Sequence, residues 1–382
     1  MLPLAGVKVI EFCQVAAGPF CGMLLADLGA DVVKIEPPEG DMLRQWPPIT
    51  DGFSENFASL NREKRSVRLD LKDPAHKKAA RALILSADVV VENNRAGVMD
   101  RLGLGYESLR GEKPGLVYCS ISAFGQTGPR SGEGGFDVTV QAMSGIMSVT
   151  GEPDGAPVKC GVPVSDFAAG LYGAFAIAAK LRAVALGEPG GHIDVSMLGA
   201  SLGIAALQTS EFFGTGNDPK KLGSAHPRNA PYQAFKAADG HFVIAAGNNK
   251  LWESVADVVG RRELRDDPRF ATTLLRAQHQ IALKDLLEIE FAKRPVDHWI
   301  AAFEKAGVPH GRINAYSQIL ADPQVEHMGW VQPMTLPSGA ATRTFGFPVK
   351  LDGATLPLRR DPPALGADTE AVLREVAARA AE

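Results

Sequence analysis

Two short stretches hold residues able to act as nucleophiles. In Gly161-Val162-Pro163-Val164-Ser165-Asp166-Phe167-Ala168-Ala169-Gly170-Leu171-Tyr172, Asp166 is followed by a run free of charge and proline up to Lys180. That run is of helix length and too rich in small residues for a strand, so Ser165 or Asp166 is placed at the N-terminal cap. Unpaired N–H groups and the positive end of the helix dipole lie there. They would keep a carboxylate ionised at a partly dry site, as a carboxylate nucleophile requires. The blander reading is a cap alone, since aspartate is favoured at that position. The second stretch, Gly199-Ala200-Ser201-Leu202-Gly203, fits the GxSxG elbow of hydrolases and follows a strand-like run. Residues 197–207 are so continuously apolar that a buried helix containing Ser201 accounts for them more simply. His298, beside Asp297, would complete a triad only if the fold brought it to Ser201.

Other chemistries find less support. Glu36 ends a strand where a ribose-binding acid of a dinucleotide site would lie, but the preceding turn, Ala16-Ala17-Gly18-Pro19, lacks GxGxxG. The eight histidines are scattered, without HExxH or a His/Cys cluster, so no metal site is expected. Cys13, Cys21, Cys119 and Cys160 form no CxxC pair and no disulfide framework, which implies a reduced, cytoplasmic setting. Net charge of −4 over 382 residues gives no footprint for nucleic acid or anionic lipid. Lys8 and Glu11 interrupt any signal-like core, and the uncharged run near 195–210 is too polar for a membrane span.

The elements that must position these residues alternate. Residues 7–12 read as a buried strand, followed by a helix opened by Pro19 and a second strand at 32–36. Strands are expected again at 67–71, 87–93, 116–121 and 191–196, with helices at 74–86 and 167–186. The charged run Asn61-Arg62-Glu63-Lys64-Arg65-Ser66 reads as a solvated strand edge. The pattern predicts a doubly wound, mostly parallel α/β domain over residues 1–212, with ligands beyond the carboxyl ends of its strands. After the turn-rich residues 214–221, a β-hairpin (231–236 and 241–246) and further helices form a smaller α+β domain over 220–312. Residues 313–382 return to the large domain.

These stretches together resemble the class III coenzyme A transferases, the CaiB/BaiF family, over nearly the whole chain. The resemblance rests on the order and spacing of Leu4-Ala5-Gly6-Val7-Lys8-Val9-Ile10-Glu11, Ala17-Gly18-Pro19, residues 28–36 and 61–66, Val91-Glu92-Asn93, Gly125-Gln126-Thr127-Gly128-Pro129, Gly135-Phe136-Asp137 and Ala246-Gly247-Asn248. It implies that Asp166 attacks an acyl-CoA thioester. A mixed anhydride, then an aspartyl-CoA thioester, would carry CoA to an acceptor acid. It also implies backbone donors for the oxyanions at Gly247 and Asn248. CoA contacts are implied at Val15, Ala16, Ala17, Leu69, Lys72, Asn93, Asn94, Arg95, Arg101, Phe124 and Gly125. Lys72 and Arg101 make physical sense as phosphate partners. CoA and acyl-CoA would be substrates rather than resident cofactors, and family members are interlocked homodimers.

Three departures narrow the implied substrates. Ala16 and Pro37 stand where formyl-CoA transferases carry glutamine and arginine, which argues against oxalate and formate. Phe136 stands where the racemase branch has a histidine, and phenylalanine cannot transfer a proton. Residues 118–121, 223–226, 231–236 and 245–249 look most like the succinyl-CoA:dicarboxylate type. There His226 and Arg228 would face an acceptor carboxylate or serve as ordinary loop residues.

Overall fold

A computed structural model describes residues 1–379. Six parallel strands form the main sheet: β1 (Lys8–Phe12), β2 (Asp31–Glu36), β3 (Lys64–Arg68), β4 (Val89–Glu92), β5 (Val117–Ser122) and β6 (Gly191–Ser196). Their order across the sheet is β3-β2-β1-β4-β5-β6, so the winding reverses between β1 and β4. The carboxyl ends of these two neighbours therefore border the crevice where open sheets of this kind take ligands.

Alternate residues of the same strand feed opposite cores, which is why Val32-Val33 and Val89-Val90-Val91 are apolar without alternation. Val9, Val32, Val89 and Val91 join one cluster with Ala168, Ala169 and Ile177 of the Val164–Val184 helix. Ile10, Val33 and Val90 join the other, with Leu83 and Ile84 of the Pro74–Leu85 helix and Val372 and Val376 of the C-terminal Thr369–Arg379 helix.

Two compact units emerge. The sheet unit comprises residues 1–146, 159–217 and 323–382; the other comprises 147–158 and 218–322. The chain re-enters the sheet unit at Pro323. In the second unit, antiparallel strands Tyr232–Lys236, His241–Ala245 and His310–Arg312 pack with Trp252, Phe291, Trp299 and Phe303 around a separate core.

The charged run 61–66 departs from its expected solvated edge. Lys64 lies on β3 and is 0% exposed, as are Glu11 on β1 and Lys34 on β2. Lys64 Nζ is 2.8 Å from one oxygen of Glu11, Lys34 Nζ is 3.0 Å from the other, and Lys64 also donates to Pro19 O and Asn61 Oδ1. The parallel register sets Lys34 on the neighbouring strand β2 directly opposite Glu11, with Lys64 on β3 beyond it, and no local pattern reports that. Removing one partner of a buried ion pair typically costs about 3–5 kcal/mol. Lys64→Met, which keeps the apolar stem, is accordingly expected to lower the unfolding free energy by that much, read as a lower urea midpoint at unchanged slope.

Candidate active site

The helix carrying Asp166 begins at Val164, with Pro163 as its N-cap. Asp166 is thus the third residue of the first turn, and neither it nor Ser165 caps the helix. The cap comes from elsewhere in the chain. Asp137 Oδ1 accepts from the Ser165 N–H at 2.9 Å and the Asp166 N–H at 3.5 Å. The second oxygen of Asp137 accepts from Gln141 Nε2 at 2.6 Å, and Gln141 Oε1 accepts from the Cys160 N–H. Asp137 therefore occupies the donors that sequence reasoning assigned to Asp166.

The electrostatic consequence reverses the expectation. Burial, and then the like charge of Asp137, push the Asp166 carboxyl up from 3.8 to about 7. Loss of the solvating N–H groups to a neighbour leaves these two causes unopposed. A half-buried carboxyl of this kind is a strong base for its class and is poised to ionise near neutrality.

Asp166 is held against the turn after β1 by unusually close helix packing. A Cβ on Gly170 would lie 2.7 Å from the Ala17 carbonyl oxygen, and one on Gly173 would lie 3.2 Å from Cys21 Sγ. Glycine at 170 is what lets the backbones meet, since a larger residue would overpack the contact with the Ala17–Asp27 helix. The rings of Phe20 and Phe167 meet at 4.6 Å above this contact.

A cleft of about 390 Å³ opens at Asp166. Its walls include Val15, Ala16 and Ala17 from the turn after β1, Asn93, Asn94 and Arg95 after β4, and Phe136. A second cleft of about 280 Å³ holds Leu69, Lys72 and Asn94 and shares Gln14 with the first. Both lie at the carboxyl ends of the strands.

Val15 has φ +66°, a left-handed conformation that costs a β-branched residue about 1–3 kcal/mol. The turn is clamped around it. Asn93 accepts from the Gln14 N–H at 2.9 Å and donates to the Gln14 carbonyl at 2.8 Å. The Val15 N–H donates to Asp41 Oδ1 at 3.1 Å. The Asn93 amide is thus engaged with backbone, and it shapes the cleft rather than presenting a free amide to a ligand.

Known proteins give this geometry a family. CoA-transferase family III matches residues 4–369. The chain is 39% identical over 383 residues to the succinate–glutarate CoA-transferase of Agrobacterium fabrum strain C58, covering 98% of this chain and 96% of that protein. It is 40% identical over 379 residues to the acetyl-CoA:oxalate CoA-transferase of Acetobacter aceti, covering 98% and 96% respectively. The crystal structure of a CaiB/BaiF family protein from Brucella suis aligns with a TM-score of 0.87 at 39% identity, over 98% of this chain and 99% of that one. The chain belongs to CoA-transferase family III. It is an enzyme of the CoA-transferase class.

Within this family III transferase, the remaining expected site residues fall in several places. Arg101 is exposed at the end of the short Val98–Arg101 helix and lines neither cleft. Phe124 packs on the core beside Arg130, and Gly125, at φ +93°, donates its N–H to Ser122 Oγ. Neither of these two lines the clefts. Gly247 and Asn248 belong to the second unit, where Asn248 Oδ1 caps the Asn249–Val258 helix through the Leu251 N–H. In that unit the His226 ring sits 4.9 Å from Tyr232.

The hydrolase elbow is absent. Ser201 lies inside the Met197–Ile204 helix, fully buried, with its hydroxyl donating to Ser165 Oγ at 2.8 Å. A buried mid-helix serine cannot meet a substrate. It braces the first turn of the helix carrying Asp166 instead. Asp137, Gln141 and Asp41 escaped notice as functional residues. Asp137 appeared only within the family stretch Gly135-Phe136-Asp137.

Proposed function

We propose that this transferase moves CoA from an acyl-CoA donor, with succinyl-CoA the first to test, to a dicarboxylic acid acceptor through Asp166. The placement of Asp166, with its pKa pushed up to about 7, in a cleft walled by the Val15–Ala17 turn carries the reading. Asp166 attacks the thioester carbonyl, the C–S bond breaks, and CoA thiolate leaves an aspartyl–acyl anhydride. The thiolate attacks the aspartyl carbonyl and expels the donor carboxylate, giving aspartyl-CoA. An acceptor carboxylate then attacks that thioester, and the thiolate returns to the acceptor carbonyl, freeing Asp166. Splitting the exchange this way conserves the thioester's energy through steps that are each accessible. Leu69, Lys72 and Asn94 in the neighbouring cleft are proposed to line the path of CoA, and Arg95, with its exposed guanidinium, is proposed as an anion partner. CoA thioesters enter as substrates rather than as a resident cofactor.

The acceptor class follows relatives named for succinate–glutarate and for oxalate exchange. An oxalate-named relative as similar as the glutarate-named one puts oxalate back among the acceptors to test. The lack of a proton-transferring group at Phe136 weighs against racemisation.

A homodimer is part of the same proposal. The Val164–Val184 helix is long and apolar enough to cross a membrane by length and composition. Leu171 and Phe175 on this helix, and Leu207 and Phe213 nearby in sequence, are exposed, Phe175 by 74% and Phe213 by 81%. A second copy covering these side chains accounts for them in a water-soluble, cytoplasmic enzyme.

Peptide mapping by mass spectrometry tests the covalent route. After mixing with succinyl-CoA and trapping with hydroxylamine or borohydride, a modification is expected on the peptide containing Asp166. An unmodified peptide across several acyl-CoAs would remove Asp166 from the mechanism.

A further inference from the structure

Asp41 is one of the most completely engaged side chains near the cleft, yet it touches no space where a substrate could sit. It is 1% exposed, and its Oδ1 accepts from both the Val15 N–H (3.1 Å) and the Leu43 N–H (2.9 Å). Its Oδ2 lies 2.9 Å from Lys34 Nζ, and its own N–H donates to Glu36 Oε2. Glu36 is in turn gripped by both Nε and Nη2 of Arg44. The fully buried ammonium of Lys34 also donates to the Cys13 carbonyl at 2.6 Å. Cys13, Gln14 and Val15 thus each surrender backbone groups to buried side chains from three separate segments. Val15 holds its left-handed conformation in the middle of that grip.

We propose that Asp41, held by Lys34, is a positioning residue for the transfer reaction. It locks the Val15 turn in the form that walls the cleft opposite Asp166; this rests on Asp166 being the nucleophile. The physical logic is that a strained conformation persists only where its surroundings over-determine it. Asp41 supplies the one acceptor for the Val15 N–H. An amide at 41 has a single acceptor oxygen and cannot serve both the Val15 N–H and Lys34 Nζ. Once that oxygen turns to the ammonium, the Val15 N–H faces an NH2 donor, the turn relaxes toward ordinary φ, and the cleft wall moves relative to the nucleophile. Lys34 holds the carboxylate in place at 2.9 Å, so the pair acts as a unit. The network is remote from the reacting atoms and works only through the turn's shape.

The test uses the full chain and succinyl-CoA, following both turnover and the rate of covalent labelling at Asp166. Asp41→Asn is expected to lower kcat/KM on the order of 10- to 100-fold, the scale of a misplaced binding wall. Glycine adopts positive φ without steric cost. In the Val15→Gly background, therefore, adding Asp41→Asn is expected to change kcat/KM by less than about 3-fold. A purely structural role would instead lower thermal stability equally in both backgrounds, with no such rescue. Wild-type kcat/KM in Asp41→Asn, or the same fall in both backgrounds, overturns the proposal. Should Asp41→Asn alone not fold, Asp41→Ala/Lys34→Met, which removes both charges and the Val15 acceptor, replaces it in both backgrounds. Labelling separates the two levels: no label on wild-type protein defeats the Asp166 assignment itself. Label on wild type, with an equal rate in Asp41→Asn, defeats the clamp alone.

Discussion

Asp166→Asn is expected to give a protein that is both inactive and more stable. Loss of the nucleophile removes the covalent route, and turnover should fall by at least about 10⁴-fold, as when other enzymes lose a nucleophile. The stability gain follows from linkage. An unfolded aspartate titrates near 3.8, whereas the folded one titrates near 7 because of burial and Asp137. The folded state therefore holds its proton more tightly, and folding is penalised wherever the unfolded chain has lost that proton. The penalty is absent below about pH 4, grows between pH 4 and pH 7, and is complete above pH 7. Asparagine removes it, for a gain on the order of 2–4 kcal/mol at pH 8 that vanishes at pH 4. Urea unfolding of both proteins at the two pH values measures this. An equal midpoint shift at both would mean that the acidity of Asp166 is not what the substitution relieves. Under the proposed reaction, burying the attacking carboxylate beside another one is a cost in stability that function accounts for.

The alternation of strands and helices was legible because a sheet covered on both faces needs short apolar, β-branched runs without strict alternation, and residues 89–91 and 116–121 show them. Which strand neighbours which was not legible, since spacing constrains crossovers but not their sequence across the sheet. Asp166 itself stood out, yet its environment was misjudged. Val-Ser-Asp after a proline looks like a local cap, and only the tertiary fold brings Asp137 to take those N–H groups. Lys64 was misread for the same reason. Its charge looks solvated within its own segment, and its partners Glu11 and Pro19 lie far away in sequence. Local pattern reports what a segment can do by itself. The site is built from contacts between segments.

That distinction makes Asp137 the sharpest place to separate charge from geometry. Asp137→Asn keeps a carbonyl oxygen that can accept from Ser165 and Asp166, so the helix start stays capped. It deletes the like charge that helps raise Asp166. Arg95 and Glu133 also line the cleft, and Glu133 is paired with Arg130 in the wild type, so neither changes with the substitution. The acid limb of kcat/KM against pH is then expected to move down from about 7 by on the order of one unit. Asp137→Ala removes cap and charge together. It should show the same downward move, plus a loss of about 0.5–2 kcal/mol of stability and a lower plateau, because the first turn no longer holds Asp166 in place. An acid limb that stays at the wild-type pH in both variants would leave burial as the sole cause of the raised value. It would then make Asp137 a cap without an electrostatic role. A limb that shifts in Asp137→Asn at an unchanged plateau would show the carboxylate tuning its neighbour's basicity while the amide oxygen alone maintains the geometry.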